Sequence, residues 1–154
     1  KFGENISIIQ KRITFENTSI LDIYEKTLNV FRDYCQYEVI QGADRKIVEK
    51  IPEAAFREAI ANALIHRVWD VDSQIRVSMY DDKIEVVSPG GLPSGITEDE
   101  YLSGKLSVLR NRNLANVFYR VGFVEIFGTG IIRIKQIYSE ASVKPSFEVS
   151  ENAI

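Results

Sequence analysis

A chain of 154 residues, 45% of them hydrophobic, can bury the core of one domain without disulfide staples. Nineteen basic against twenty-two acidic side chains leave a net charge of −3, so no global field draws in a polyanion, and nucleic-acid binding by this stretch is not supported. No apolar run reaches the ~20 residues that cross a bilayer, and Lys1-Phe2-Gly3-Glu4-Asn5 lacks a signal-peptide core, so a cytoplasmic location with no membrane partner is the expectation.

In chain order, residues 4–15 read as strand through Ile6, Ile8, Ile13 and Phe15. Asn17-Thr18-Ser19 then offers capping oxygens for a helix from Ile20 to Tyr37 with the stripe Leu21, Tyr24, Leu28, Phe31 and Cys35. The single cysteine, Cys35, has no partner and reads as a packed thiol in a reducing compartment. Val39-Ile40 and Ile47-Val48 flank Gln41-Gly42-Ala43-Asp44 as a hairpin, and Pro52 opens the next helix, which stops between Arg67 and Asp70. Gln74 to Tyr80 alternates as a half-buried strand, Asp81-Asp82 turns, and Lys83 to Val87 forms the next strand. Ser88 to Gly104, rich in glycine and proline and carrying Glu98-Asp99-Glu100, is long enough for a mobile lid. Asn113 to Gly122 reads as a helix with Leu114, Val117, Phe118 and Val121 inward; Val124 to Phe127 is short and apolar, and a last helix runs from Gly130 to Ala141. Strands and helices that do not strictly alternate favour an α+β layer sandwich over a doubly wound parallel fold.

Three features carry chemistry. In the second helix, Glu58, Asn62 and His66 recur at steps of four, placing a carboxylate, an amide and an imidazole on one stripe beside Ala55 and Ala59, while Phe56, Ile60 and Ala63 face a core. Such a stripe lets a ligand with a bound metal ion approach the backbone; it also suits a buried helix edge satisfying neighbouring loops. Gly90 and Gly91, after a strand, permit close backbone approach of a flat ring, or form a tight turn. Gly128-Thr129-Gly130 opens a helix whose unpaired amides can hold phosphate oxygens. Between Tyr101 and Val124, Lys105, Arg110, Arg112 and Arg120 occur with no acidic residue, which fits a solvated basic helix or a phosphate site.

Taken together, Arg57-Glu58-Ala59 with Asn62-Ala63 and His66-Arg67, the run Asp82 to Pro93 containing Ser88-Pro89-Gly90-Gly91, Arg112-Asn113, and Glu125 to Ile131 resemble the GHKL ATP-binding fold of gyrase-type ATPases and histidine kinases. The nearer likeness is to the divergent GHKL-like domain of RecG-like helicases and Schlafen AlbA-type transcriptional regulators. The resemblance implies a two-layer sandwich, a mixed β-sheet covered on one face by helices (the Bergerat fold), with ATP between the helices and the lid. It implies that Asn62 binds Mg2+ through its amide oxygen, that Glu58 is the catalytic residue orienting a water, that Gly90 borders adenine, and that Gly128, Thr129 and Gly130 cradle phosphate with Arg112 approaching it. Magnesium's preference for oxygen ligands and the ability of a carboxylate to position water suit these roles.

Two departures stand out. The wider superfamily has an Asp that accepts from the adenine amino group where this chain has Ser88, and serine accepts without charge. After His66-Arg67 the related group continues Asp-Tyr, whereas this chain has Val68-Trp69. His66 serves equally as a ligand contact and as a structural hydrogen bonder. No Gly-x-x-x-x-Gly-Lys-Ser/Thr loop occurs, so the chain is not a P-loop motor.

The expectation is one GHKL-like nucleotide-binding domain over 1–154, a piece of a longer protein, with residues 1–15 as the end of a preceding domain. It would be a Mg-dependent ATP-binding or ATP-hydrolysing module that meets DNA only through other domains and can form a homodimer. The rival expectation is a degenerate scaffold that binds no nucleotide and serves a transcription regulator as a dimerisation or interaction domain.

Overall fold

In the computed structural model, residues 11–41, 44–104, 106, 108–124 and 128–154 are described. The expected strand over 4–15 falls outside them up to residue 10, and residues 11–15 form no strand. Helix α1 spans Ile20–Cys35 and starts where the capping run predicts: Ser19 Oγ accepts the Asp22 N–H at 3.1 Å. It buries Tyr24, Leu28, Phe31 and Cys35, then gives way at Gln36 to β1 (Gln36–Gln41), two residues earlier than its apolar period suggests. Strand β2 (Asp44–Glu49) pairs with β1 antiparallel, from Gln36 opposite Glu49 to Gln41 opposite Asp44. The tip of that hairpin lies outside the described residues.

Helix α2 (Glu53–His66) follows Pro52, which cannot cap with a side chain; the Glu49 carboxylate instead accepts the Glu53 N–H at 2.9 Å, at the positive end of the helix. Phe56, Ile60, Ala61, Ala63, Leu64 and Ile65 are all buried, so α2 is apolar around most of its circumference and is the central helix. Phe31 stacks on Phe56 with centroids 4.2 Å apart, and Tyr24, Phe118 and Phe123 form a second aromatic group with centroids 4.4 to 5.5 Å apart.

Strands β3 (Arg76–Met79) and β4 (Ile84–Val87) form an antiparallel hairpin from Arg76 opposite Val87 to Met79 opposite Ile84, closed by Tyr80 N–H to Lys83 O at 2.9 Å. The segment 88–104, expected to be irregular throughout, contains helix α3 (Glu98–Ser103). Its acidic run is the first turn, and Thr97 and Glu100 satisfy each other's backbone amides as a capping box.

Helix α4 (Arg112–Arg120) buries Ala115 and Phe118, while Val117 and Val121, expected inward, are 41% and 47% exposed. The buried stripe is centred between Ala115 and Phe118, and 100° per residue carries Val117 out of it. Helix α5 (Gly130–Ile137) buries Ile131 and Ile134 and ends four residues before the expected Ala141. The short apolar stretch before it lies largely outside the described residues: Val124 is buried, and 125–127 are not described. The whole is an α+β arrangement of helices packed on small antiparallel sheets. Among the described residues no helix is long and apolar enough to cross a membrane.

Candidate functional site

Two of the three stripe residues of α2, Glu58 and Asn62, are covered by the start of α5. A Cβ built on Gly130 would overlap Asn62 Nδ2, lie 2.6 Å from Glu58 Oε1 and 3.0 Å from Asn62 Cγ, so the bare glycine seats α5 directly on the two polar side chains. Three residues on, Arg133 Nη1 lies 3.8 Å from Glu58 Oε2, whose side chain is only 11% exposed. Glu58, Asn62 and Gly130, separated by up to 72 positions in sequence, therefore form one contact. The positive φ in this turn belongs to Gly128, at 83°, and not to Gly130, so Gly130 supplies room rather than backbone freedom. Thr129 is the N-cap of α5 without a side-chain cap bond. On its other side α5 meets the 88–104 segment: Lys135 Nζ donates to Leu102 O at 2.7 Å, and a Cβ at Gly104 would overlap the Ile132 side chain.

The last turn of α2 leaves carbonyls with no helical donor, and three side chains from elsewhere take them. Ser88 Oγ donates to Ala63 O at 2.9 Å, Asn111 Nδ2 donates to Ile65 O at 2.7 Å and Arg67 O at 3.0 Å, and Arg110 Nη1 donates to His66 O at 3.0 Å. Arg110 also donates to Gly91 O, and Val68 N–H to Pro89 O at 3.0 Å. Ser88 is thus 8% exposed with its hydroxyl hydrogen on the helix backbone. His66 sits beside this clamp, its pKa lowered by burial and secondarily by the Arg110 charge, which favours a neutral imidazole. From sequence, Arg110 fits a solvated basic helix or a phosphate site and Asn111 has no role; in the structure both hold the end of α2.

The glycines of the 88–91 turn have neighbours within the chain. Gly90, at φ 102°, has no room for a Cβ beside Val68, and a Cβ on Gly91 would overlap backbone oxygens of Ser150 and Glu151. The C-terminal residues run along this turn: Gly90 N–H donates to Asn152 O, and Ser88 and Ile154 exchange backbone bonds at 2.8 and 3.1 Å. Arg112 lies elsewhere, on an open groove of about 550 Å³ lined also by Trp69, Leu109 and Asn113, which none of Glu58, Asn62 and Gly130 lines. Trp69 is a wall of that groove, 42% exposed, with the Arg67 guanidinium 4.5 Å above its ring. Among the described residues no group of three or more His, Cys, Asp or Glu side chains could hold a metal by itself.

No match is found among curated proteins. Among solved structures the chain is similar to the DIP2311 protein from Corynebacterium diphtheriae, with 33% identity and a TM-score of 0.67 over 86% of this chain and 27% of that one. This chain therefore spans about 27% of the length of that protein. Residues 72–154, more than half of the sequence, match the family model described as "Putative ATP-dependent DNA helicase recG C-terminal", and the chain belongs to that family.

Proposed function

We propose that this domain binds ATP with Mg2+ on the face shared by α2 and α5. The observation that carries the reading is the convergence of Glu58 and Asn62 on the glycine that opens α5. A carboxylate and an amide oxygen are hard donors, and magnesium usually takes one or two protein ligands and completes its shell with phosphates and water. Gly130 also opens α5, and the unpaired amides of a helix N-terminus favour an anion. Asn62 would hold the metal, the amides of Gly128 to Gly130 would hold phosphate, and Glu58 would orient a water whose attack on the terminal phosphorus breaks its bond to the bridging oxygen and releases ADP. Bound Mg2+ supplies neutralisation of phosphate charge.

The seat of α5 on Asn62 leaves no gap for a phosphate between them, so binding requires α5 to withdraw and Arg133 to leave Glu58. The 88–104 segment is tied to α5 through Lys135 and Ile132 and moves with it in this reading. Contact with DNA, and a role in transcription regulation within the cytoplasm, belong in this proposal to the longer protein.

A second reading, a scaffold without nucleotide binding, is favoured by one observation: Ser88 spends its hydroxyl hydrogen on Ala63 O and is buried, and the C-terminal residues cover Gly91. Calorimetric titration with ATP and ADP, each with and without Mg2+, separates the two. The nucleotide reading expects Mg-dependent heat that Asn62→Ala removes with the fold intact, since alanine is a good helix former. No heat for either nucleotide would leave the scaffold reading, whereas equal Mg-dependent affinity in Asn62→Ala would remove the metal role from Asn62.

A further inference from the structure

The β1–β2 hairpin is a two-stranded sheet of its own. Among the described residues its base is fastened by Lys50 N–H to Cys35 O at 2.9 Å and by Gln36 Nε2 to Glu49 and Glu53 at 3.2 and 2.8 Å. A lone two-stranded hairpin is marginal in water and ordinarily gains its stability by covering a face. Here the register puts Glu38 opposite Ile47 and Ile40 opposite Arg45, so these four side chains share one face as a two-by-two checkerboard. Ile40 is 70% and Ile47 68% exposed, and the diagonal Arg45–Glu38 pair stands 3.7 Å apart, with side chains 75% and 63% exposed.

We propose that this face is a homodimer contact, its occupant the same face of a second copy of this chain. The charge pattern selects that occupant. A two-fold axis along the Ile40–Ile47 diagonal stacks Ile40 on Ile40 and Ile47 on Ile47, and lays each Glu38 over the Arg45 of the second copy. A two-fold along or across the strands would set isoleucine on charge, and one along the other diagonal would set glutamate on glutamate. The strands of the two copies then cross steeply, as in orthogonal sheet packing. The internal Arg45–Glu38 pair is exposed and worth little, so exchanging it for two pairs between copies costs little. A face of six-residue strands, about 20 Å by about 10 Å, is well below the ~800 Å² per partner of a stable interface, so the association is weak and concentration-dependent. The inference does not depend on nucleotide binding.

Sedimentation velocity of the 154-residue chain over a wide concentration range reads it directly. Wild type should self-associate reversibly. Arg45→Glu alone and Glu38→Arg alone should each raise the dissociation constant at least tenfold, because each makes the face uniformly charged. An equimolar mixture of the two variants should associate at least as tightly as wild type, since every contact then pairs opposite charges; that recovery also shows both variants to be folded. Wild type monomeric at all concentrations, self-association unchanged in both variants, or no recovery in a mixture whose components give native circular dichroism would overturn the proposal.

Discussion

Asn111 gives the sharpest test of the clamp on α2, because its sequence position and its structural role call for opposite results. It is the N-cap of α4, where Asn and Asp are about equally favoured and a negative charge suits the helix dipole, so Asn111→Asp should be harmless from sequence. In the structure its side chain makes no cap bond; its Nδ2 donates to Ile65 O and Arg67 O at 2.7 and 3.0 Å in a half-buried setting. Two such bonds contribute about 1 kcal/mol net each, so Asn111→Ala should cost about 2 kcal/mol. A carboxylate cannot donate and would face two carbonyl oxygens, so Asn111→Asp should cost more, about 3 kcal/mol. For a chain of this size 2 kcal/mol is a drop of about 4–8 °C in Tm. Urea unfolding should show the midpoint fall in the order wild type, Ala, Asp with the slope unchanged, as for a loss of native interactions. An Asn111→Asp variant as stable as wild type would mean that the side chain caps α4 and that α2 ends without it.

Gly130→Ala gains about 1 kcal/mol of helix propensity but must push Asn62 and Glu58 aside; overpacking of about 1–3 kcal/mol makes the net change a loss of about 1 kcal/mol, and Gly130→Val a loss of about 3 kcal/mol. Thermal unfolding checks this, and an alanine variant more stable than wild type would show that α5 does not rest on those side chains. Arg133→Ala frees Glu58 from a partly exposed pair worth about 1 kcal/mol, so in the nucleotide reading Mg-ATP should bind about fivefold tighter by calorimetry; weaker binding would instead place Arg133 on the phosphates. His66, held neutral by burial, makes the folded state bind fewer protons than the unfolded one, so its contribution to stability is complete above the ordinary histidine value of about 6.5 and falls as pH drops below it. His66→Gln should flatten urea midpoints between about pH 7 and 5, a window separate from the acid loss expected when Glu53, its carboxyl held low by Arg32, protonates; parallel curves for variant and wild type would refute the His66 contribution.

What could be read in advance was whatever a local period carries. Ser19 capping α1 and the stripe of Glu58, Asn62 and His66 follow from spacings of three and four and form as those spacings dictate, whereas β3 forms within its alternating run but buries the neighbours Ser78 and Met79 together. The phase of α4 failed because its period fits two nearby stripes, and only the partner surface decides that Ala115 goes in and Val117 stays out. The clamp was invisible for a different reason. Arg110 and Asn111 bond to carbonyls 44 to 46 positions away, and a backbone oxygen leaves no mark on the identity of the residue that carries it. The absence of acidic neighbours around Arg110, which reads as a solvated basic helix or a phosphate site, fits equally a guanidinium held by carbonyls.

The glycines carry the same ambiguity into the site itself. A position that must lack a side chain is written Gly whether the space belongs to a ligand, to another helix or to passing backbone. At Gly91 the space holds the oxygens of residues 150 and 151, and at Gly130 it holds Asn62 and Glu58. Yet the second case differs in kind. A close helix contact is ordinarily lined by small apolar residues, whose burial is favourable; seating a glycine on a carboxylate and an amide puts two strongly hydrated groups where alanine would pack at lower cost. Arg133 offsets part of that cost by pairing with Glu58 at 3.8 Å. In the proposed reading, the polar lining of the α2–α5 contact is what a ligand with hard oxygens and a metal would use.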